Sequence, residues 1–265
     1  MQEKRLVGEA AAELVENKMV VGLGSGSTVF YTLKKLGHLV EKGLQIKGVA
    51  TSKTTAKLAR ELKIPLVDLG AVDYIDVAID GADEMDPNFN LIKGGGGALL
   101  REKMVAKAAK RMVIIADSSK NVEKLGEFLL PVEVIPFGWE MTARHIQRLG
   151  GTFNLRMTSD NKPYVTDNKN YILDCDFNFI TNPAQLEVSL NMLPGVVENG
   201  LFVNVPTDVI TILNEKVKLF GNIKTLWVKY RVFFVCKEKM MWIIHKICYI
   251  PTTYPSQKGF RIRQY

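Results

Sequence analysis

Cysteine is scarce in this chain: three in 265 residues, Cys175, Cys236 and Cys248, an odd number with no C-x-x-C spacing. That excludes a disulfide-stapled framework and points to unbridged thiols in a reducing compartment. Histidine is equally sparse, and none of His38, His145 and His245 neighbours a motif, so each reads as structural or surface. No window holds about 18 unbroken apolar residues, and Met1-Gln2-Glu3-Lys4-Arg5 lacks the apolar stretch of a secretory signal. A soluble protein with no membrane partner is therefore expected. What is present is ordinary for a globular chain: 47% hydrophobic and 24% charged residues with mean hydropathy +0.03, enough to bury a core in one or two domains.

The formal charge of +7 suggests nucleic acid until it is located. Residues 222–265 hold nine Lys and Arg against one acid, Glu238, so the excess lies there and residues 1–221 carry −1. The same stretch holds Trp227, Trp242 and two of the three cysteines, which makes it foreign to what precedes it.

Short β-branched runs alternate with longer helical patterns over the first half, the mark of parallel strands joined by crossover helices. Helices are predicted over Arg5–Val15, Thr28–Leu39 and from Thr51-Ser52 to Leu62, with strands at Met19–Leu23, Ile46–Ala50, Pro65–Leu69, Val77–Ile79 and Val113–Ala116. Past Gly126 the order becomes strand (Val132–Ile135), helix (Trp139–Leu149), two strands (Thr152–Met157, Tyr171–Cys175), helix (Pro183–Leu193) and strand (Val196–Phe202). That βαββαβ order is ferredoxin-like. The expected architecture is α/β: a Rossmann-like, mostly parallel sheet domain of residues 1–125 plus 200–221, closed by a strand at Val209–Leu213, a smaller ferredoxin-like α+β domain of residues 126–199, and an atypical basic extension at 222–265.

Four constellations follow predicted strand ends, where open α/β sheets place ligands. Gly22-Leu23-Gly24-Ser25-Gly26-Ser27-Thr28 combines backbone N–H groups at a helix start with hydroxyls, which suits a phosphate. A dinucleotide fingerprint would need a glycine at Ser27 and an acid near Ala50–Lys53, and no Walker lysine is present. Taken alone, such a turn also serves merely to join strand to helix. Asp80-Gly81-Ala82-Asp83-Glu84 sets acids where they could position sugar hydroxyls, exchange protons or, with Asp86, hold magnesium; the plain reading is a solvated acidic turn. In Lys93-Gly94-Gly95-Gly96-Gly97, four consecutive glycines give up chain entropy without packing in return, so their backbone is expected to lie against a ligand. Glu102 falls about one turn into the following helix, within reach of that loop. Asp117-Ser118-Ser119-Lys120 adds a cation that could meet an anion. Leu99 and Met104, at helical spacing, are assigned to the core.

These motifs, in this order and spacing, resemble the type A ribose-5-phosphate isomerases. The likeness includes Gly24–Thr28, Asp80–Glu84, Lys93–Leu99, Arg101-Glu102-Lys103 and Asp117–Lys120, continues through Pro131–Val134 and Val165–Asn168, and covers roughly residues 1–215. Pro163–Asn168 with Asn170-Tyr171-Ile172 is similar to plant members. The resemblance implies interconversion of D-ribose 5-phosphate and D-ribulose 5-phosphate in the pentose phosphate pathway through an enediol(ate), with no metal and no organic cofactor. It makes Glu102 the general base, gives Asp80 and Asp83 the sugar oxygens and proton exchange, and has Lys93 stabilise charge. Ser25, Gly26, Ser27, Thr28, Gly81, Ala82, Gly94, Gly95, Gly96 and Lys120 become substrate contacts, with Lys4 a weaker carry-over. A homodimer or homotetramer in the cytoplasm, or in a plastid, is implied, with no nucleic-acid partner.

Two rival functions carry tests. A non-catalytic sugar-phosphate sensor would keep the phosphate turn yet dispense with Glu102. A metal-dependent phosphotransferase would use Asp80, Asp83 and Asp86 and stop with chelator. Nothing in 222–265 resembles the family; its composition favours an unselected extension, such as a mispredicted coding end, over a nucleic-acid or membrane-surface arm.

Overall fold

The computed structural model describes residues 1–205, 208–213, 216–221 and 233–235. Helix α1 (Gln2–Ala12) leads to strand β1 (Val20–Leu23), helix α2 (Val29–Glu41), strand β2 (Lys47–Ala50) and helix α3 (Lys53–Glu61). Strands β3 (Val77–Gly81), β4 (Glu84–Met85) and β5 (Leu91–Ile92) follow, then helix α4 (Leu99–Ala108) and strand β6 (Met112–Ala116). Next come β7 (Leu130–Val134), α5 (Trp139–Gln147), β8 (Thr152–Leu155), β9 (Tyr171–Asp176), α6 (Pro183–Asn191) and β10 (Val196–Asn199). The last strands are β11 (Leu201–Phe202), β12 (Asp208–Leu213), β13 (Lys216–Gly221) and β14 (Phe233–Val235).

Seven strands form one sheet in the order β14-β13-β12-β6-β3-β1-β2, parallel at every pairing except β12 with β13. Its central strands are apolar nearly throughout because both faces are covered. Val77, Ile79, Val113 and Ile115 join the buried side chains of α1 and α2, such as Val7, Leu33 and Leu36. The alternating residues Ala78, Met112 and Ile114 join Val105 and Ala106 of α4 and Phe202. Among the helix starts, Ser52 caps α3 by accepting the Thr55 N–H at 3.0 Å, and Asn182 caps α6 one residue before Pro183.

The smaller sheet is antiparallel in the order β10-β7-β9-β8, with α5 and α6 supplying Ala143, Ile146 and Leu190 to its core. Numbered within the βαββαβ run, that order is 4-1-3-2, the ferredoxin-like one.

Several details differ from the sequence reading. Pro65–Leu69 forms no strand: one parallel bridge, Gly48 to Leu66, is followed by a 3-10 turn at Leu69–Ala71, and Pro65 has no N–H to extend a ladder. The run Val196–Phe202 is two strands in two sheets, β10 beside β7 and β11 beside β5. The break is Gly200, whose N–H reaches Pro131 O and whose carbonyl accepts the Lys93 N–H, both at 2.8 Å; a Cβ there would lie 2.3 Å from the Lys93 carbonyl oxygen. The β4 and β5 segments escaped notice because two residues show no periodicity, and β13 extends the sheet beyond the closing strand read at Val209–Leu213. Met104 is half exposed rather than in the core, while Leu99 is fully buried. Apart from β14, the basic extension at 222–265 lies outside the described residues. No helix among the described residues is long and apolar enough to cross a membrane.

Candidate active site

Asp80 is the fourth residue of β3 and, unlike Val77 to Ile79, brings a carboxylate to the sheet's carboxyl edge while staying buried. Its Oδ1 accepts the N–H groups of Ser25 (3.0 Å) and Gly81 (2.8 Å), tying the β1–α2 turn to the end of β3. Its Oδ2 lies 3.0 Å from the Lys93 ammonium. Lys93 follows β5, donates to the Gly81 carbonyl at 2.6 Å, stands 3.2 Å from Glu102 Oε2, and rests 5.3 Å from the centre of the buried Phe202 ring.

Glu102 is brought to this cluster by α4, whose first turn follows the glycine loop. Burial raises its pKa, the neighbouring Asp80 carboxylate adds to the rise, and Lys93 opposes both, leaving it at about 8 against an ordinary 4.5. For Lys93, burial disfavours the ammonium, but Asp80 and Glu102 outweigh it and hold the group protonated above its usual range. The arrangement therefore contains a fixed cation and a carboxyl whose pKa is raised well above the ordinary carboxylate range, as acid–base work at a carbon requires.

A cavity of about 140 Å³ opens over this cluster. Lining it are Ser25, Gly26, Ser27 and Thr28 from the β1–α2 turn, Gly81, Ala82 and Asp83, then Lys93, Gly94, Gly96 and Glu102, with Lys4 and Lys120 at the rim. Of the residues given catalytic or substrate-contact roles above, Asp80 and Gly95 do not line it. Asp80 sits behind Lys93, and the Gly95 N–H donates to Asp83 Oδ2 at 2.7 Å. Lys4 donates to Ser27 Oγ at 3.0 Å and stands 3.8 Å from Asp117, bringing the start of α1 to the phosphate-type turn. Lys120 sits in the 3-10 turn after β6.

The glycine quartet has two causes rather than one. Gly94 (φ +100°) and Gly97 (φ +77°) occupy left-handed backbone, and a Cβ on Gly95 would press within 3.0 Å of Asp83 and Phe128, whereas Gly96 has open space. Asp86, read as a conceivable magnesium ligand, instead braces its own turn by accepting from Asn88 N, Asn90 N and Asn90 Nδ2. Glu84 accepts the N–H groups of Gly126 and Phe128 and fixes the chain's passage toward the smaller sheet. Among the described residues no group of three or more His, Cys, Asp or Glu side chains is placed to hold a metal ion.

Other contacts around the site join residues whose pairing is not visible in the sequence. Ser25 Oγ lies 2.8 Å from Thr51 Oγ1, 2.8 Å from Ser52 Oγ and 3.0 Å from Thr55 Oγ1, a hydroxyl cluster set by the start of α3. Arg101 donates to Asn168 Oδ1 at 2.8 Å and pairs with Asp167, so two of the quoted motifs bind each other. Lys103, beside Glu102 in sequence, is buried against Glu187, Glu198 and the Asn199 carbonyl.

Fold and site together define an α/β protein with a buried Asp–Lys–Glu cluster under an anion-receptive turn. The sequence model of the family described as ribose 5-phosphate isomerase A (phosphoriboisomerase A) matches residues 47–216. The ribose-5-phosphate isomerase A of Bacillus mycoides (strain KBAB4) is 52% identical over 211 residues, 79% of this chain and 95% of that protein. A solved D-ribose-5-phosphate isomerase in complex with phospho-erythronic acid superposes with TM-score 0.80 at 40% identity, covering 83% of this chain and 97% of that one. The ribose 5-phosphate isomerase of Plasmodium falciparum does so with TM-score 0.80 at 36% identity, over 83% and 98%. The chain belongs to the ribose 5-phosphate isomerase A family.

Proposed function

We propose that this chain is an aldose–ketose isomerase converting D-ribose 5-phosphate to D-ribulose 5-phosphate and back, with Glu102 as the proton carrier. The observation that carries the reading is the placing of the Glu102 carboxylate in the wall of the same cavity as the Gly26–Thr28 turn, 3.2 Å from the Lys93 ammonium. Ionised Glu102 takes the proton from C2 of the open-chain sugar, and the C2–H electrons form the C1–C2 double bond while O1 gains charge. The enediol(ate) then receives the proton at C1 as O2 becomes the carbonyl and its hydroxyl proton passes to O1. Lys93 stabilises the developing oxyanion, an interaction stronger in the transition state than in the sugar. Asp83, fixed by Gly95 N–H, reaches the sugar hydroxyls, and Asp80 holds Lys93 in place. Ser27, Thr28, Lys4 and Lys120 take the phosphate.

The same reading takes in the finer expectations. A homodimer or homotetramer is supported by apolar side chains left open around α5 and α6, among them Phe137 (90% exposed) and Met192 (76%). A division at about residues 126 and 199 is supported by the smaller sheet having a core cluster distinct from that of α1, α2 and the larger sheet, with Ile92, Leu125 and Leu201 joining it from outside 126–199. A plant-like subtype, with a plastid as its compartment, rests on the Pro163–Ile172 stretch; a cytoplasmic location is supported by the bacterial relatives.

The test is ribose 5-phosphate isomerisation by the whole chain and by Glu102→Gln. The variant is expected to lose about 10²- to 10⁴-fold in kcat, the usual worth of a positioned base, while still binding phospho-erythronic acid. A fully active Gln variant shows the wrong base. Binding without turnover by the parent chain favours the sensor, and turnover lost to chelator favours the metal-dependent transferase.

A further inference from the structure

Arg156 belongs to none of the roles above. It follows β8 in the smaller unit, with its side chain mostly buried. Two of its nitrogens hold Asp174 of β9, Nε at 2.9 Å and Nη2 at 2.5 Å, a bidentate grip that fixes the plane of the guanidinium. The remaining terminal nitrogen, Nη1, donates to the carbonyl oxygens of both Gly94 and Gly95, each at 3.1 Å. Tyr164 lies beside the same group, its ring centre 5.9 Å from the guanidinium carbon, and its hydroxyl donates to the Gly96 carbonyl at 3.4 Å.

The consequence follows from peptide geometry. A trans peptide points its N–H opposite to its carbonyl. With the carbonyls of Gly94 and Gly95 drawn to Arg156, the N–H groups of Gly95 and Gly96 turn the other way. The Gly95 N–H meets Asp83, and the Gly96 N–H belongs to a residue in the cavity wall. The Gly94 carbonyl also accepts the Gly97 N–H at 2.9 Å, so the turn itself helps to hold that peptide. The Gly95–Gly96 peptide, flanked by glycines that lack side chains to select one orientation, could flip at little steric cost without the Arg156 donor. We propose that Arg156, held by Asp174, is a positioning residue that sets the peptide planes of Gly94–Gly96 and so aims Asp83 and the Gly96 N–H at the substrate. Lysine, a single point donor, cannot reproduce a planar fork shared between a carboxylate and two carbonyls.

This rests on the isomerase reading, so the parent chain is assayed first: no turnover from a folded parent defeats that reading and this proposal with it. Given an active parent, Arg156→Ala is expected to lower kcat by about 10- to 100-fold, the range for loss of alignment at a reacting centre, with a much smaller change in KM. Free guanidinium ion should restore part of the kcat where sodium chloride of equal ionic strength does not, and Arg156→Lys and Asp174→Asn should fall in between. A folded Arg156→Ala variant with parental kcat overturns the proposal. So does a loss of kcat that tracks a lowered Tm and ignores guanidinium, because Arg156 is then only a tether between the two sheets. If Arg156→Ala does not fold, the two milder variants decide: lowered kcat at unchanged Tm supports the proposal, and parental kcat in both overturns it.

Discussion

Asp80, Lys93 and Glu102 are no more than 5% exposed and spend their charges on one another, whereas Lys4, in the wall of the same cavity, is one-third exposed and Ser27 is open to solvent. The difference separates two tasks. A proton carrier needs its pKa moved, which takes desolvation and close charges that water would screen. A phosphate needs a turn that can be reached and left, so its cations stay wet and each contributes modestly. One end is set by the protein's interior, the other by its surface.

The largest expected effect comes from removing the buried cation. Lys93→Met leaves Asp80 and Glu102 as uncompensated buried carboxyls, so turnover should vanish and urea melts should show about 3–5 kcal/mol less stability, the cost of breaking a buried pair. A variant as stable as the parent would mean the inner cluster is not electrostatically closed. Next is pH dependence. In its proposed role Glu102 acts as a base in its ionised form, and its pKa is raised to about 8, so kcat/KM of the free enzyme should rise with pH through that region and level off above it. A profile already level below neutrality would place the base elsewhere. Smaller still, Lys120→Ala at the rim should raise KM about tenfold, roughly 1.4 kcal/mol, with kcat nearly kept; a large fall in kcat with KM unchanged would break the division between the two ends. The smallest change is Ser52→Ala. It removes the α3 cap and one hydroxyl beside Ser25, and should cost about 1 kcal/mol in a thermal melt with little effect on the pH profile.

Much of this site is readable because each piece is local. Gly24–Thr28, Asp80 and Asp117–Lys120 sit at the ends of short apolar runs, where a strand end followed by glycine or an acid is visible within a few residues, and Lys93 is marked by the four glycines that follow it. Glu102 is readable as a position one turn into a helix. Arg156 is not, since it acts on carbonyls about sixty residues earlier, and an arginine after a short strand has no pattern of its own. The same holds for Phe202, whose ring centre lies 5.3 Å from the Lys93 ammonium and 4.9 Å from that of Lys103. The Pro65–Leu69 and Val196–Phe202 readings failed because pairing partners, rather than β-propensity, decide whether an extended run becomes a strand and in which sheet.

By itself the sequence determined the longer helices and strands, their alternation and the chemical groups that follow them, since periodicity, caps and turn residues act over a few neighbours. Only the tertiary structure decided that Glu102 and Lys93 depart from their ordinary ionisation. Burial and the 3.0 and 3.2 Å approaches of Lys93 to Asp80 and Glu102 come from strands and a helix that meet only once the sheet is assembled, and electrostatic energy depends on that distance and on the water excluded from it.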